Sequence, residues 1–199
     1  MPQSQQHADR AGLYTPRILQ QHLADDPAGR WWTADGTVAF VDISGFTKLS
    51  ERLARKGREG SEQITEVIGN SFESILQGFE DAGHTARACR ATVLMRRVLR
   101  DVGRIDIPGA KVTLRMSQGV HSGCFHFFAV GTSHTELLPM GPAWSRVVSM
   151  EHTASAGQIL ISPETGALLP GRCLGATKGP GVLLVREPPG SVEKLPLIP

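Results

Sequence analysis

A single carboxylate, Asp42, closes the apolar run Val38-Ala39-Phe40-Val41-Asp42-Ile43. A charge at that place is either a ligand or a polar strand end. Ser145 and Ser149 stand four apart, so on a helix they share one face. They could bind a ligand there, although serines inside helices more often bond the preceding turn or water. His121 and His126 could offer two imidazoles to a metal. No third ligand stands at a supporting spacing, which favours structural roles. Trp144 could stack on a ring or simply pack. The arginines between Arg87 and Arg104 form either a docking surface or the solvated side of a helix. Cys89, Cys124 and Cys173 include no CxxC pair, so the spacing suggests neither a zinc site nor a disulfide framework.

The elements that must hold these residues follow from periodicity. Residues 16–25, with Ile18, Leu19 and Leu23 on one side, predict a short amphipathic helix entered at Pro16. Pro27, Gly29 and Gly36 predict a loop around Trp31-Trp32. Residues 38–43 predict a strand buried on both faces, and Ser44-Gly45 a turn into a helix over 46–55. Gly57 and Gly60 end that helix. Ser61 can cap another, striped by Ile64, Ile68, Phe72, Leu76 and Phe79 and ended by Gly83. A helix over 85–102 follows, burying Ala88, Cys89, Val93 and Leu99 and exposing Arg87, Arg90, Arg97 and Arg100. Strands are predicted over 112–120 and 124–130 with a turn at 119–123, and a loop at Pro139 and Gly141 leads to a helix over 143–153. A short strand over 158–161, a helical turn over 162–169 and a last strand over 182–185 complete the pattern.

Composition bounds the function. The chain has 199 residues, 40% of them hydrophobic, enough for one domain with a core. Lys and Arg number 21 against 19 Asp and Glu, a net charge of +2, which gives no electrostatic reason to expect nucleic acid as a partner. No apolar run approaches the roughly 20 residues of a membrane span, and the N-terminal stretch lacks a signal-peptide core, so a cytoplasmic protein is expected. The division expected is residues 1–36 as a flexible or helical segment, 37–186 as the domain, and 187–199 as a Pro-rich tail or linker.

Three blocks carry a resemblance. VAFVDISGFTKLSERL, from Val38 to Leu53, resembles the opening of the class III adenylate and guanylate cyclase catalytic domain. LRMSQGVHSG, from Leu114 to Gly123, resembles that family's later strand, and GPAWSRVVSMEHTASAGQILIS, from Gly141 to Ser162, its subsequent helix and strand. The blocks fall in the family's order. The resemblance implies an α+β, ferredoxin-like sheet with helices on one face. It also implies a reaction, closure of ATP to 3′,5′-cyclic AMP and diphosphate, run between two domains with Mg or Mn as cofactor.

Position by position, the resemblance assigns metal ligation to Asp42 and to the carbonyl of Ile43, and the phosphate turn to Gly45, Phe46 and Thr47. The family's ribose-positioning asparagine falls on Ser145, its charge-stabilising arginine on Ser149, and its base-reading aspartate on Leu138. The β-hairpin carrying the second metal aspartate and a base-reading lysine is missing, because Glu80-Asp81-Ala82-Gly83 runs straight into His84. A lone carboxylate holds magnesium weakly, leucine cannot bond adenine's amino group, and serine places no cation near phosphorus. Losing one preorganised charge stabiliser costs about 3 kcal/mol or more of transition-state stabilisation. The expectation is therefore a cyclase-homology domain in cyclic-nucleotide signalling that is inactive alone. It would bind purine nucleoside triphosphate weakly if at all, and pair as a homodimer or as a heterodimer with another cyclase domain. Two alternatives stand beside it: an active subunit when paired with an intact cyclase domain, and a non-catalytic regulatory or interaction module. Without the hairpin, residues 38–43 should lie at a sheet edge.

Overall fold

One long strand organises the sheet. The computed structural model describes residues 16–44, 83–107, 110–131 and 135–190. In chain order they form α1 (Arg17–Asp25), β1 (Trp31–Ser44), α2 (His84–Val102), β2 (Arg104–Ile107), β3 (Ala110–Thr113), β4 (Arg115–Val130), β5 (Glu136–Met140), α3 (Gly141–Thr153), β6 (Ile159–Ile161), α4 (Pro163–Ala167), a 3₁₀ turn (Gly171–Cys173), β7 (Leu174–Lys178) and β8 (Gly181–Leu184). The six-stranded sheet runs β1-β4-β6-β8-β7, and β5 pairs with the second half of β4. β2 and β3 form a separate hairpin. The β4–β6 pair is parallel and the others antiparallel. The expected helices between Gly45 and Phe79, and the phosphate turn Gly45-Phe46-Thr47, lie outside the described residues.

β4 corrects the expected turn at residues 119–123. The chain stays extended through them, paired to β1 without interruption from Trp31↔Phe128 to Ser44↔Arg115. The glycines there serve contact, not reversal. A Cβ on Gly119 would run into the backbone of Val147 and Glu151, so this residue lets α3 cross β4 at close range. Gly36 pairs with Gly123 inside the same ladder.

The loop expected around Trp31-Trp32 is likewise a strand, because an aromatic stack fastens it. Trp32 lies between His22 of α1, with ring centroids 3.8 Å apart and planes 11° from parallel, and Phe127 of β4 at 5.5 Å. The loop expected at Pro139 is β5, where Pro139 pairs with Phe127. Proline is tolerated at such a position when the ladder does not need its N–H. Among the described residues, β1 has β4 as its single neighbour.

Helices cover both faces of the sheet, not one. Gln118 bonds the Thr92 carbonyl of α2 at 3.0 Å, while its neighbour Ser117 bonds Glu151 of α3 at 2.6 Å. Successive residues of a strand point to opposite faces, so α2 and α3 lie on opposite sides. The α2 face buries Cys89, Val93, Val120, Ile159, Ile161, Cys173 and Leu184. The α3 face buries Phe125, Phe127, Ala143 and Val147, with Trp32, Val38 and Leu137 against them. The sequence also places Arg90 on a solvated face, and the structure buries it: its guanidinium reaches the Pro189 carbonyl at 2.7 Å.

Candidate functional site

Ser145 and Ser149 do share one face of α3, and it opens to solvent. With Trp144, Val148, His152 and Thr153 they line a groove of about 440 Å³. Their hydroxyl neighbourhood is local. Ser145 donates to the Gly141 carbonyl at 3.3 Å, and Thr153 donates to the Ser149 carbonyl at 2.8 Å. Trp144 is half-buried and meets Phe40 of β1 edge-on, at 5.9 Å and 69°. The floor is apolar, the rim is hydroxylic, and the lining contains no fixed charge.

Asp42 lies near the C-terminal end of β1, exposed, opposite Ser117. Its carboxylate has no hydrogen bond or ion pair to any described residue. Ile43, next in the strand, is half-buried, and the Ser44 hydroxyl donates to the Arg115 carbonyl at 3.1 Å. By the pleat, Asp42 shares the α3 face with Phe40. Leu138 does not: it pairs with Phe128, on the face opposite Leu137 and Val147, and is 40% exposed. Within one chain the structure thus gathers the two serines, leaves Asp42 on the same sheet face two residues beyond Phe40, which meets Trp144, and turns Leu138 the other way.

His121 and His126 lie five residues apart on one uninterrupted strand and so point to opposite faces. His121 is buried. Its Nδ1 is 2.8 Å from the Ser162 hydroxyl and 3.9 Å from Glu164, which Arg146 meets at 3.4 Å. Burial pushes its pKa down from the usual 6.5. Glu164 opposes that shift and Arg146 adds to it. Glu164 is held below the usual carboxylate range, first by the hydrogen bond to its own backbone.

No spacing in the sequence points to a second polar group, built from distant hydroxyls. Thr37 of β1 lies 2.7 Å from His84 Nδ1, 2.7 Å from the Ser122 hydroxyl and 3.1 Å from the Thr85 hydroxyl. The Ser122 backbone N–H donates to Thr165 Oγ1 at 2.8 Å, and Thr165 meets Ser162 at 3.0 Å. The readable part is the Ser162-Pro163-Glu164-Thr165 helix start, where the Ser162 hydroxyl accepts from the Thr165 backbone N–H. These hydroxyls bond one another at the α2–sheet contact, an arrangement that fixes α2 on β1 and β4. Cys89 and Cys173 share the core below. Burial, with Cys173 adding to it, pushes the Cys89 thiol up to about 12, which makes it a poor nucleophile.

No family model matches the sequence, and no curated protein matches it. Solved structures do match in fold. The adenylyl cyclase CyaB from P. aeruginosa superposes with a TM-score of 0.63 at 17% identity, over 84% of this chain and 100% of that one. The guanylate cyclase domain of RhGC from Catenaria anguillulae, solved in complex with GTP, gives 0.53 at 18% identity over 76% and 94%. A dimeric guanylyl cyclase domain of the RhoGC fusion protein from the aquatic fungus Blastocladiella emersonii gives 0.55 at 18% over 79% and 98%. The chain has the α+β fold of adenylyl and guanylyl cyclase domains. At these identities the likeness is one of fold.

Proposed function

We propose that this chain is a class III cyclase-type domain of cyclic-nucleotide signalling whose own residues do not form a working catalytic centre. The observation that carries this reading is the chemistry of the groove on α3. In a fold shared with adenylyl and guanylyl cyclases, the positions that the resemblance matches to a ribose-positioning amide and a phosphate-stabilising arginine are Ser145 and Ser149, and the groove is lined by neither lysine nor arginine. The base-reading position, Leu138, offers no polar atom. Closing a triphosphate on itself builds negative charge at phosphorus, and two serines in place of an amide and a guanidinium give that charge little stabilisation.

The divalent ion of the resemblance fits these residues poorly. Magnesium and manganese take several oxygen ligands. Asp42 is a single exposed carboxylate, and among the described residues no three His, Cys, Asp or Glu side chains converge. No catalytic step is therefore assigned to a metal on this chain alone. By the resemblance, the family's metal-bearing hairpin would fall between Asp81 and His84, where this sequence has only two residues. That reading fits a role in pairing with another cyclase domain.

The test is a cyclase assay on the purified full chain with ATP or GTP in excess manganese, with and without an intact cyclase domain. The chain alone should make no cyclic nucleotide above background. Clear turnover by the chain alone that disappears in Asp42→Ala would overturn the reading.

A further inference from the structure

We propose that residues 186–190 act as a latch that holds α2, and through α2 holds β1. The segment leaves β8 with two N–H groups on one carbonyl: Val185 and Arg186 both donate to Cys173, at 2.9 and 3.3 Å. It then runs back along α2. Glu187 meets Arg97 at 3.0 Å, and two residues later the Pro189 carbonyl accepts from Arg90 at 2.7 Å. Arg97 and Arg90 are seven residues apart, about 10 Å along a helix. Two extended residues span about 7 Å, and the long arginine side chains cover the rest. The direction is antiparallel to α2, from its C-terminal half toward its N-terminus.

The two arginines differ in kind. The Arg97–Glu187 pair is half-exposed, with side-chain exposures of 51% and 39%, and such pairs contribute little. Arg90 is 5% exposed, and its guanidinium donates to the segment at the Pro189 carbonyl. Gly190 makes that approach possible. Its φ is +127°, and a Cβ there would lie 2.5 Å from Arg90 Nη1. A side chain at 190 would be strained in its backbone and would collide with the group it covers. From Arg90 the contact continues up α2 to its first turn, where His84 and Thr85 hold Thr37 in the middle of β1. Residues 187–190 are therefore a working part of the α2 packing, and whatever displaces them loosens the strand that carries Asp42.

The experiment is hydrogen exchange by mass spectrometry on the full chain and on Gly190→Val, a substitution outside α2 and the core. The latch predicts that Gly190→Val frees residues 186–190 and speeds exchange of the amides in α2 and β1 by about tenfold or more, while β6 and β8 change by less than about twofold. A chain ending at Arg186 should behave the same way, and adding a synthetic peptide of residues 187–199 should restore protection of α2. If the segment comes free and α2 exchanges as before, the proposal is overturned. It is equally overturned if Gly190→Val leaves the segment as protected as in the parent chain.

Discussion

The two ends of β1 are built differently. At the N-terminal end Trp32 is clasped between His22 and Phe127, and at mid-strand Thr37 joins three other polar side chains in a hydrogen-bonded cluster. At the C-terminal end Phe40 is 37% exposed, touching Trp144 by an edge, and Asp42 makes no bond to a described residue. Among the described residues, the named side-chain contacts of the strand gather at Trp32 and Thr37 and thin out toward Asp42.

The comparison breaks first, and most visibly, at Trp32. Replacing it with alanine removes a half-buried indole and both of its stacking partners, and should cost about 2 to 3 kcal/mol, below the range for a fully buried tryptophan. Urea unfolding would measure it, and a loss under about 0.5 kcal/mol would mean that the N-terminal end is no anchor. His121, opposite Val38 at mid-strand, sharpens the comparison through pH. Its folded pKa lies below the unfolded value of about 6.5, so between those two values the unfolded chain binds more protons. Stability should be fully present above about pH 6.5 and fall as the pH drops through that value toward the lower folded pKa. His121→Asn should flatten that part of the profile, and an unchanged slope would sink the assignment. The smallest effect belongs to Asp42→Ala, which should leave stability within about 0.5 kcal/mol. A larger loss would show that Asp42 is held by the fold after all.

Periodicity made much of this fold readable. The helices at His84–Val102 and Gly141–Thr153 and the short strand after Gln158 announce themselves by spacing; the strand at 38–43 does too, but its residues are half-buried or exposed where an apolar run predicts burial on both faces. What could not be read were residues whose reasons lie across the chain. Gly119 carries the local signature of a turn, but its cause is a helix that crosses it some thirty residues later in sequence. Arg90 looks like any arginine on a helix surface until a carbonyl from position 189 closes over it. Pro139 reads as a strand breaker, and whether a strand needs its N–H depends on the neighbour it has. The candidate site divides in the same way. Ser145 and Ser149 were legible as one face because four residues make a helical turn. The direction in which Leu138 points depends on the register of β5 against β4, which no local pattern encodes.

The register of β1 against β4 also bears on time. Ser44 bonds a carbonyl 71 residues away, and Thr37 a hydroxyl 85 residues away. The strands and helix from β4 to β6, by contrast, follow one another closely in the chain. Pairings across such separations must close large loops before any contact rewards them, and domains dominated by them fold in milliseconds to seconds. β1 is thus expected to be the last strand to join the sheet. Until it does, β4 presents its own long open edge, and during that interval crowded chains are most exposed to pairing with the wrong partner.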